Sequence, residues 1–164
     1  MIIKDAMVII HLAKITLLEK SCNYFKKVAI PDKVYEEIIA GKEKGYSEVI
    51  IIDNLIKMKK IEVKKTNNKL YIKKLNEFNI HGGEAEAVAL YLEEKAEYLA
   101  SDDDNLRRKR EMLNINIIGT PAIIIKLFKE KNIEKDKFLE SVRKLKEIGW
   151  FSNSVIDKML MDIK

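Results

Sequence analysis

The stretch that decides the fold runs His81-Gly82-Gly83-Glu84-Ala85-Glu86-Ala87-Val88-Ala89-Leu90 and, a few residues on, Tyr98-Leu99-Ala100-Ser101-Asp102-Asp103-Asp104. The glycine pair interrupts what precedes it. Ala85, Val88, Ala89 and Leu92 then recur at the spacing of one buried helix face. Tyr98 to Ala100 is a short apolar strand, and Asp102 to Met112 reads as a charged helix. Helix, strand and helix thus follow one another, with acids at both junctions.

Working outward, the same alternation continues. Ile115 to Ile118 is a β-branched strand. Thr120-Pro121 opens a helix, with threonine as cap and proline in the first turn. From Ile133 the chain is helical, with a break at Gly149. Toward the N-terminus, Ile2 and Ile3 start a strand, followed by a helix over about Ala6 to Ala13 and a short one from Ile15. Val28 to Ile30 is a second strand, and Pro31-Asp32 opens the helix after it. Ser47 to Lys57 and Leu70 to Phe78 are helices, with a short strand at Ile61 to Val63 between them. The expectation is an α/β fold, a mainly parallel sheet of about four to five strands between helical layers. In such open sheets, function gathers at the carboxyl ends of the strands.

The 164 residues contain no linker, repeat or low-complexity tract, which suits one domain over 1–164. A lone cysteine, Cys22, excludes an internal disulfide framework and suits a reducing cytoplasm. The opening Met1-Ile2-Ile3-Lys4-Asp5 meets charge too early for a signal peptide. No apolar run approaches the ~20 residues that span a bilayer, so no membrane association is expected. The net charge of +5, from 31 basic and 26 acidic residues, permits an anionic partner without demanding one.

The acids carry the functional argument. Asp5 ends the first strand. Glu36 and Glu37 lie in the first turns of the helix after the second. Glu84 and Glu86 lie just after the glycine pair, and Asp102, Asp103 and Asp104 follow the strand at Tyr98 to Ala100. In a parallel sheet, four separate segments then bring carboxylates to one edge. Crowded carboxylates repel and raise one another's pKa, and hard divalent cations relieve this by taking oxygen ligands. Singly, each acid also reads as a turn residue, a helix cap or a complement to a helix dipole. Helical wheels do not choose within Glu36/Glu37 or Glu84/Glu86.

These segments resemble the PIN-domain family. Asp5-Ala6-Met7-Val8-Ile9-Ile10 is similar to its opening. Ile30-Pro31-Asp32-Lys33-Val34-Tyr35-Glu36-Glu37 resembles its second acidic segment and Gly83-Glu84-Ala85-Glu86-Ala87 its third. Ser101-Asp102-Asp103, through Ile118-Gly119-Thr120, resembles its fourth. The matches cover about 2–129 and leave C-terminal helices over about 133–164. The resemblance implies a ribonuclease that uses one or two Mg²⁺ or Mn²⁺ ions. Its metal residues would be Asp5, Glu37, Glu84 and Asp103, with Asp102 as a further catalytic acid. Asp103 is preferred to Asp102 because Ser101-Asp102-Asp103 resembles a hydroxyl, any-residue, aspartate pattern. RNA is the implied substrate, and VapC-type toxins in this family are neutralised by an antitoxin protein. One departure is Met7, where the family often has a small polar residue. The alternative is a PIN-like module that binds RNA or protein without catalysis.

Other constellations fall away. The aspartate run is no EF-hand, because Arg107 stands where the loop glycine belongs and Leu113 where the final glutamate belongs. His11, His81 and Cys22 do not make a structural zinc site. Arg107-Arg108-Lys109-Arg110 points all round a helix, so at most one or two of these side chains can lie beside the acidic edge. The C-terminal segment, with Phe138, Leu139, Val142, Leu145 and Ile148, reads as a packing helix or as a surface for a second copy or a partner protein.

Overall fold

A computed structural model describes residues 1–43 and 47–163. The chain runs β1 (Ile2–Lys4), α1 (Ala6–Lys14), α2 (Leu18–Phe25), β2 (Val28–Pro31), α3 (Asp32–Glu43), α4 (Glu48–Lys57) and β3 (Glu62–Lys64). It continues through α5 (Lys69–Glu77), α6 (Gly82–Glu93), β4 (Tyr98–Ala100), α7 (Asp104–Arg108), α8 (Arg110–Leu113) and β5 (Ile117–Ile118). The last helices are α9 (Thr120–Lys129), α10 (Lys135–Ile148) and α11 (Asn153–Met161). Lys164, the end of the expected C-terminal segment, lies outside the described residues.

The five strands are all parallel, in the order β3-β2-β1-β4-β5. Successive strand residues face opposite sides of a sheet, and here both sides are covered. Ile2, Val28, Ile30 and Ala100 join one core with Val8 and Leu12 of α1, Ile38 of α3 and Ile52 of α4. Ile3, Ala29 and Leu99 join another with Leu75 of α5, Val88 of α6 and Leu106 of α7. Burial on both faces is why these strands read as continuous apolar runs. The result is the three-layer α/β/α architecture expected from the sequence.

From β1 the chain steps outward to β2 and β3, with α1 to α4 on the first face. It then returns past β1 to β4 and β5, with α5 to α8 on the second. The reversal falls between β1 and β4, where open α/β sheets leave a crevice at the carboxyl ends of the strands. Helices α9 to α11 pack on the first face through Ile123, Phe138 and Ile156. Gly149 closes α10 in the left-handed region, at φ 78°.

Four local expectations shift. Pro31 is the last residue of β2, in register with Lys64, rather than the start of α3. At a strand end its missing N–H costs the ladder little. The residue at the N-cap of α9 is Gly119, with Thr120 just inside the helix. The helix expected from Asp102 begins at Asp104, because Asp103 caps it. Leu92 is exposed, while Ala87 and Leu90 are buried, because α6 packs against the sheet, α3 and α5 together. Its buried surface is wider than one stripe.

Candidate active site

Asp5 leaves β1 directly into the crevice. Its backbone N–H donates to Ala100 O at 3.0 Å, which ties it to β4. Its carboxylate caps α1 by accepting from Val8 N at 3.0 Å and also accepts the Ser101 hydroxyl. Asp5 is only 4% exposed. Burial is the main force on its carboxyl and lifts the pKa from 3.8 to about 7. The two hydrogen bonds oppose that rise, and the neighbouring charges of Asp102 and Asp103 add to it.

Asp103 comes from the other side of the crevice, at the end of β4. It caps α7, accepting from Leu106 N at 2.7 Å, and its own N–H donates to Ser101 Oγ at 3.2 Å. Glu84, in the first turn of α6, is hydrogen-bonded to Asp103. Its pKa rises from 4.5 to about 7, first through burial and then through Asp103, with smaller contributions from the charges of Asp5 and Glu37. Three carboxyls from three segments therefore share one crevice. Ser101 serves two of them, bonding to Asp5 and to the Asp103 backbone.

Glu37 arrives from α3. Its Oε1 accepts from Gly83 N at 3.0 Å, at the N-terminus of α6, where the helix dipole favours an anion. Glu36 instead lies 3.6 Å from Lys33. Glu86 is influenced by Glu36 and Asp32, so it faces the start of α3 rather than the crevice. The pairs that helical wheels leave tied are thus separated in space.

Gly83 makes the position of Glu37 testable. A Cβ there would stand 2.8 Å from both Glu37 carboxylate oxygens. Gly83→Ala should push this exposed side chain away while leaving the helix intact, because alanine suits a first turn better than glycine. If the crevice holds Mn²⁺, affinity for it should fall about tenfold, as when an orienting group around a metal site is lost. The melting temperature should stay level or rise slightly. Unchanged affinity in a calorimetric titration would exclude Glu37 as a metal ligand.

Asp102 sits differently from its neighbour. Its Oδ1 accepts from Thr120 N at 2.7 Å. Its Oδ2 accepts from Thr120 Oγ1 at 2.5 Å and lies 2.8 Å from His11 Nδ1. The side chain has no exposed surface. Both oxygens are occupied in tying α1, the end of β4 and the start of α9 together, so Asp102 touches the crevice only through its charge. This explains why Thr120 does not serve as a cap: its hydroxyl has a charged acceptor nearby. The sequence carries a signal for His11 as well. Val8, His11, Leu12 and Ile15 share one buried face, and a buried histidine needs a hydrogen-bond partner.

A family model described as DUF3368, a PIN domain, matches residues 1–164. The chain belongs to the PIN-domain family. No curated protein and no solved structure gave a match. PIN domains are generally nucleases that use divalent metals, and the donor set of this PIN domain fits that chemistry. It consists of carboxylate oxygens, the ligands of hard cations. Burial, with smaller additions from neighbouring carboxylates, raises the carboxyls of Asp5 and Glu84 to about 7, and a cation in the crevice would favour their ionised forms. As the side chains stand, no three His, Cys, Asp or Glu among the described residues surround one metal-sized point; Glu84 and Asp103 are instead hydrogen-bonded to each other. No helix among the described residues is long and apolar enough to cross a membrane.

Proposed function

We propose that this PIN domain, one domain over the whole chain, is a metal-dependent endoribonuclease acting at the β1/β4 crevice. The observation that carries the reading is the convergence of Asp5, Glu84 and Asp103, with two carboxyls raised to about 7. Asp5, Glu84 and Asp103, joined by Glu37 on the α6 N-terminus, would hold Mg²⁺ or Mn²⁺. A bound ion supplies Lewis acidity to the phosphodiester and lowers the pKa of the attacking water. The chain's own residues do the rest. Ser101 fixes Asp5 and the Asp103 backbone, and Asp102 pins the strand end that carries both Ser101 and Asp103. Arg107 lies beside the same edge and meets the phosphate backbone. Water is the nucleophile, so the ribose 2′-hydroxyl is not consumed. Cys22, unpaired and buried, accords with a reducing cytoplasm.

The test joins metal binding to product chemistry. Below pH 7, protons on Asp5 and Glu84 compete with the cation. Each proton lost between pH 6 and pH 8 should tighten Mn²⁺ binding by about tenfold. Calorimetry at the two pH values reads this directly. Cleaved single-stranded RNA should carry 5′-phosphate and 3′-hydroxyl ends. Products with 2′,3′-cyclic phosphates would refute hydrolysis by water. Absence of Mn²⁺ binding by the folded protein would leave the non-catalytic RNA- or protein-binding reading in its place.

A further inference from the structure

Beside the crevice, between the start of α9 and α11, lies a pocket of about 360 Å³. Arg107, Gly119, Pro121, Trp150, Phe151 and Lys158 line it, and Asp102 contributes to its wall. Trp150 dominates it. The indole N–H donates to Asp102 O at 3.2 Å, and the ring leans on His11 at a centroid distance of 5.9 Å. Phe151 contacts His11 edge-on at 5.3 Å. One edge of the indole is therefore anchored to the backbone between Ser101 and Asp103. The residue nevertheless remains 51% exposed. A large aromatic plane, fixed at one edge and open to water, is suited to receive a flat partner.

The surroundings specify that partner. Arg107 and Lys158 are the cations of the lining, and Asp104 is its exposed acid. The solvent-facing part of the lining carries two cations against the one carboxylate of Asp104, because the Asp102 side chain has no exposed surface. Arg107 can lie close to the acidic edge because residue 119 has no side chain. A Cβ there would stand 2.6 Å from Arg107 Nη2 and 3.1 Å from Asp102 Oδ1. An aromatic platform with cations beside it is the arrangement by which proteins hold single-stranded nucleic acid: bases stack and phosphates meet the charges.

We propose that this pocket is a nucleobase subsite for the RNA strand, with Trp150 as the stacking surface and Arg107 and Lys158 meeting the adjoining phosphates. The subsite holds a base next to the phosphodiester at the carboxylates. It acts in positioning rather than in bond cleavage, and it rests on the nuclease reading above.

Trp150 is the only tryptophan in the chain, so its emission reports on this pocket alone. A short oligoadenylate titrated in EDTA should quench it. Trp150→Ala should weaken binding of the same labelled oligonucleotide about tenfold, the scale of one lost stacking contact, while Trp150→Phe keeps most of the affinity. In cleavage assays Trp150→Ala should raise KM and leave kcat nearly unchanged. Mn²⁺ titration of both variants should match the native protein, which separates a lost subsite from a collapsed fold. Native binding without a change in tryptophan emission would overturn the subsite. So would an unaltered KM in Trp150→Ala, the result expected if the pocket serves a protein partner instead. Those outcomes leave the carboxylate site standing, whereas absent Mn²⁺ binding removes the metal-dependent nuclease reading and with it the subsite's place beside a scissile phosphodiester.

Discussion

Asp5→Asn should lower RNA cleavage by about a thousandfold, the scale of losing one electrostatic stabiliser of a transition state, and should make the metal-free protein harder to unfold. Asparagine caps a helix as well as aspartate does, so the bond from Val8 N is kept. What disappears is a buried charge. The folded-state pKa of Asp5 is raised to about 7, chiefly by burial. Its contribution to stability is therefore fully present below the unfolded value near 4 and is lost as pH rises through 7. The upper bound of that loss is roughly 4 kcal/mol. The amide must also find a place for its own N–H groups, so a gain of about 2 kcal/mol is expected above pH 7. In a chain of this size that raises the melting temperature by roughly 5 °C. The gain should shrink as pH falls toward 5. Melts in EDTA at pH 5 and pH 8, with single-turnover cleavage alongside, read both effects. A variant that cuts RNA at the native rate would exclude Asp5 from the chemistry. One that melts lower at pH 8 would show that its charge is not the destabilising element.

The same physics marks what the sequence could reveal. Val28 to Ile30 and Tyr98 to Ala100 were legible as strands because sheet strands covered on both sides need unbroken apolar runs. Asp5 and Ser101-Asp102-Asp103 were legible as crevice residues because they directly follow two of those strands. The choice between Glu36 and Glu37 was not, since both flank the buried stripe of α3. It depends on a backbone N–H at Gly83, far away in sequence, which donates only to the second of them. The preference for Asp103 over Asp102 rests on the family resemblance, since as adjacent acids the two carry no geometric distinction in the sequence. Adjacent residues point apart, however, and one turns toward His11 and Thr120 while the other turns toward Glu84. Lys4 shows the limit most plainly. The sequence presents it as the charge that ends an apolar run. In the fold it is buried, donating to Ser21 Oγ at 2.6 Å and lying 5.6 Å from the centre of the Phe25 ring. Removal from water pulls its pKa down to about 8. Nothing in local periodicity announces such a contact, because its partners lie in α2.

Asp102→Ala should produce the largest loss of stability among the acids. The substitution leaves the Thr120 amide, the Thr120 hydroxyl and the His11 ring without their shared acceptor in a site closed to water. Each buried group left unsatisfied costs about 1–3 kcal/mol. With partial relaxation the total is about 4 kcal/mol, a large share of the 5–15 kcal/mol that holds a typical domain together. The melting temperature should drop by roughly 10 °C. Asp102→Asn should cost much less. Its carbonyl can still accept from Thr120 N, and the threonine hydroxyl and His11 can both turn from donor to acceptor. The order native, Asn, Ala in melting temperature is therefore the signature of a hydrogen-bond hub. Mn²⁺ binding then separates this role from that of a ligand. Asp5, Glu84 and Asp103 survive in both variants, so below their melting points both should bind Mn²⁺ within a few-fold of the native protein. If Asp102→Asn stays folded yet loses Mn²⁺ as completely as Asp5→Asn, the carboxylate of Asp102 must leave Thr120 and join the metal, and the division of labour between the two adjacent aspartates is reversed.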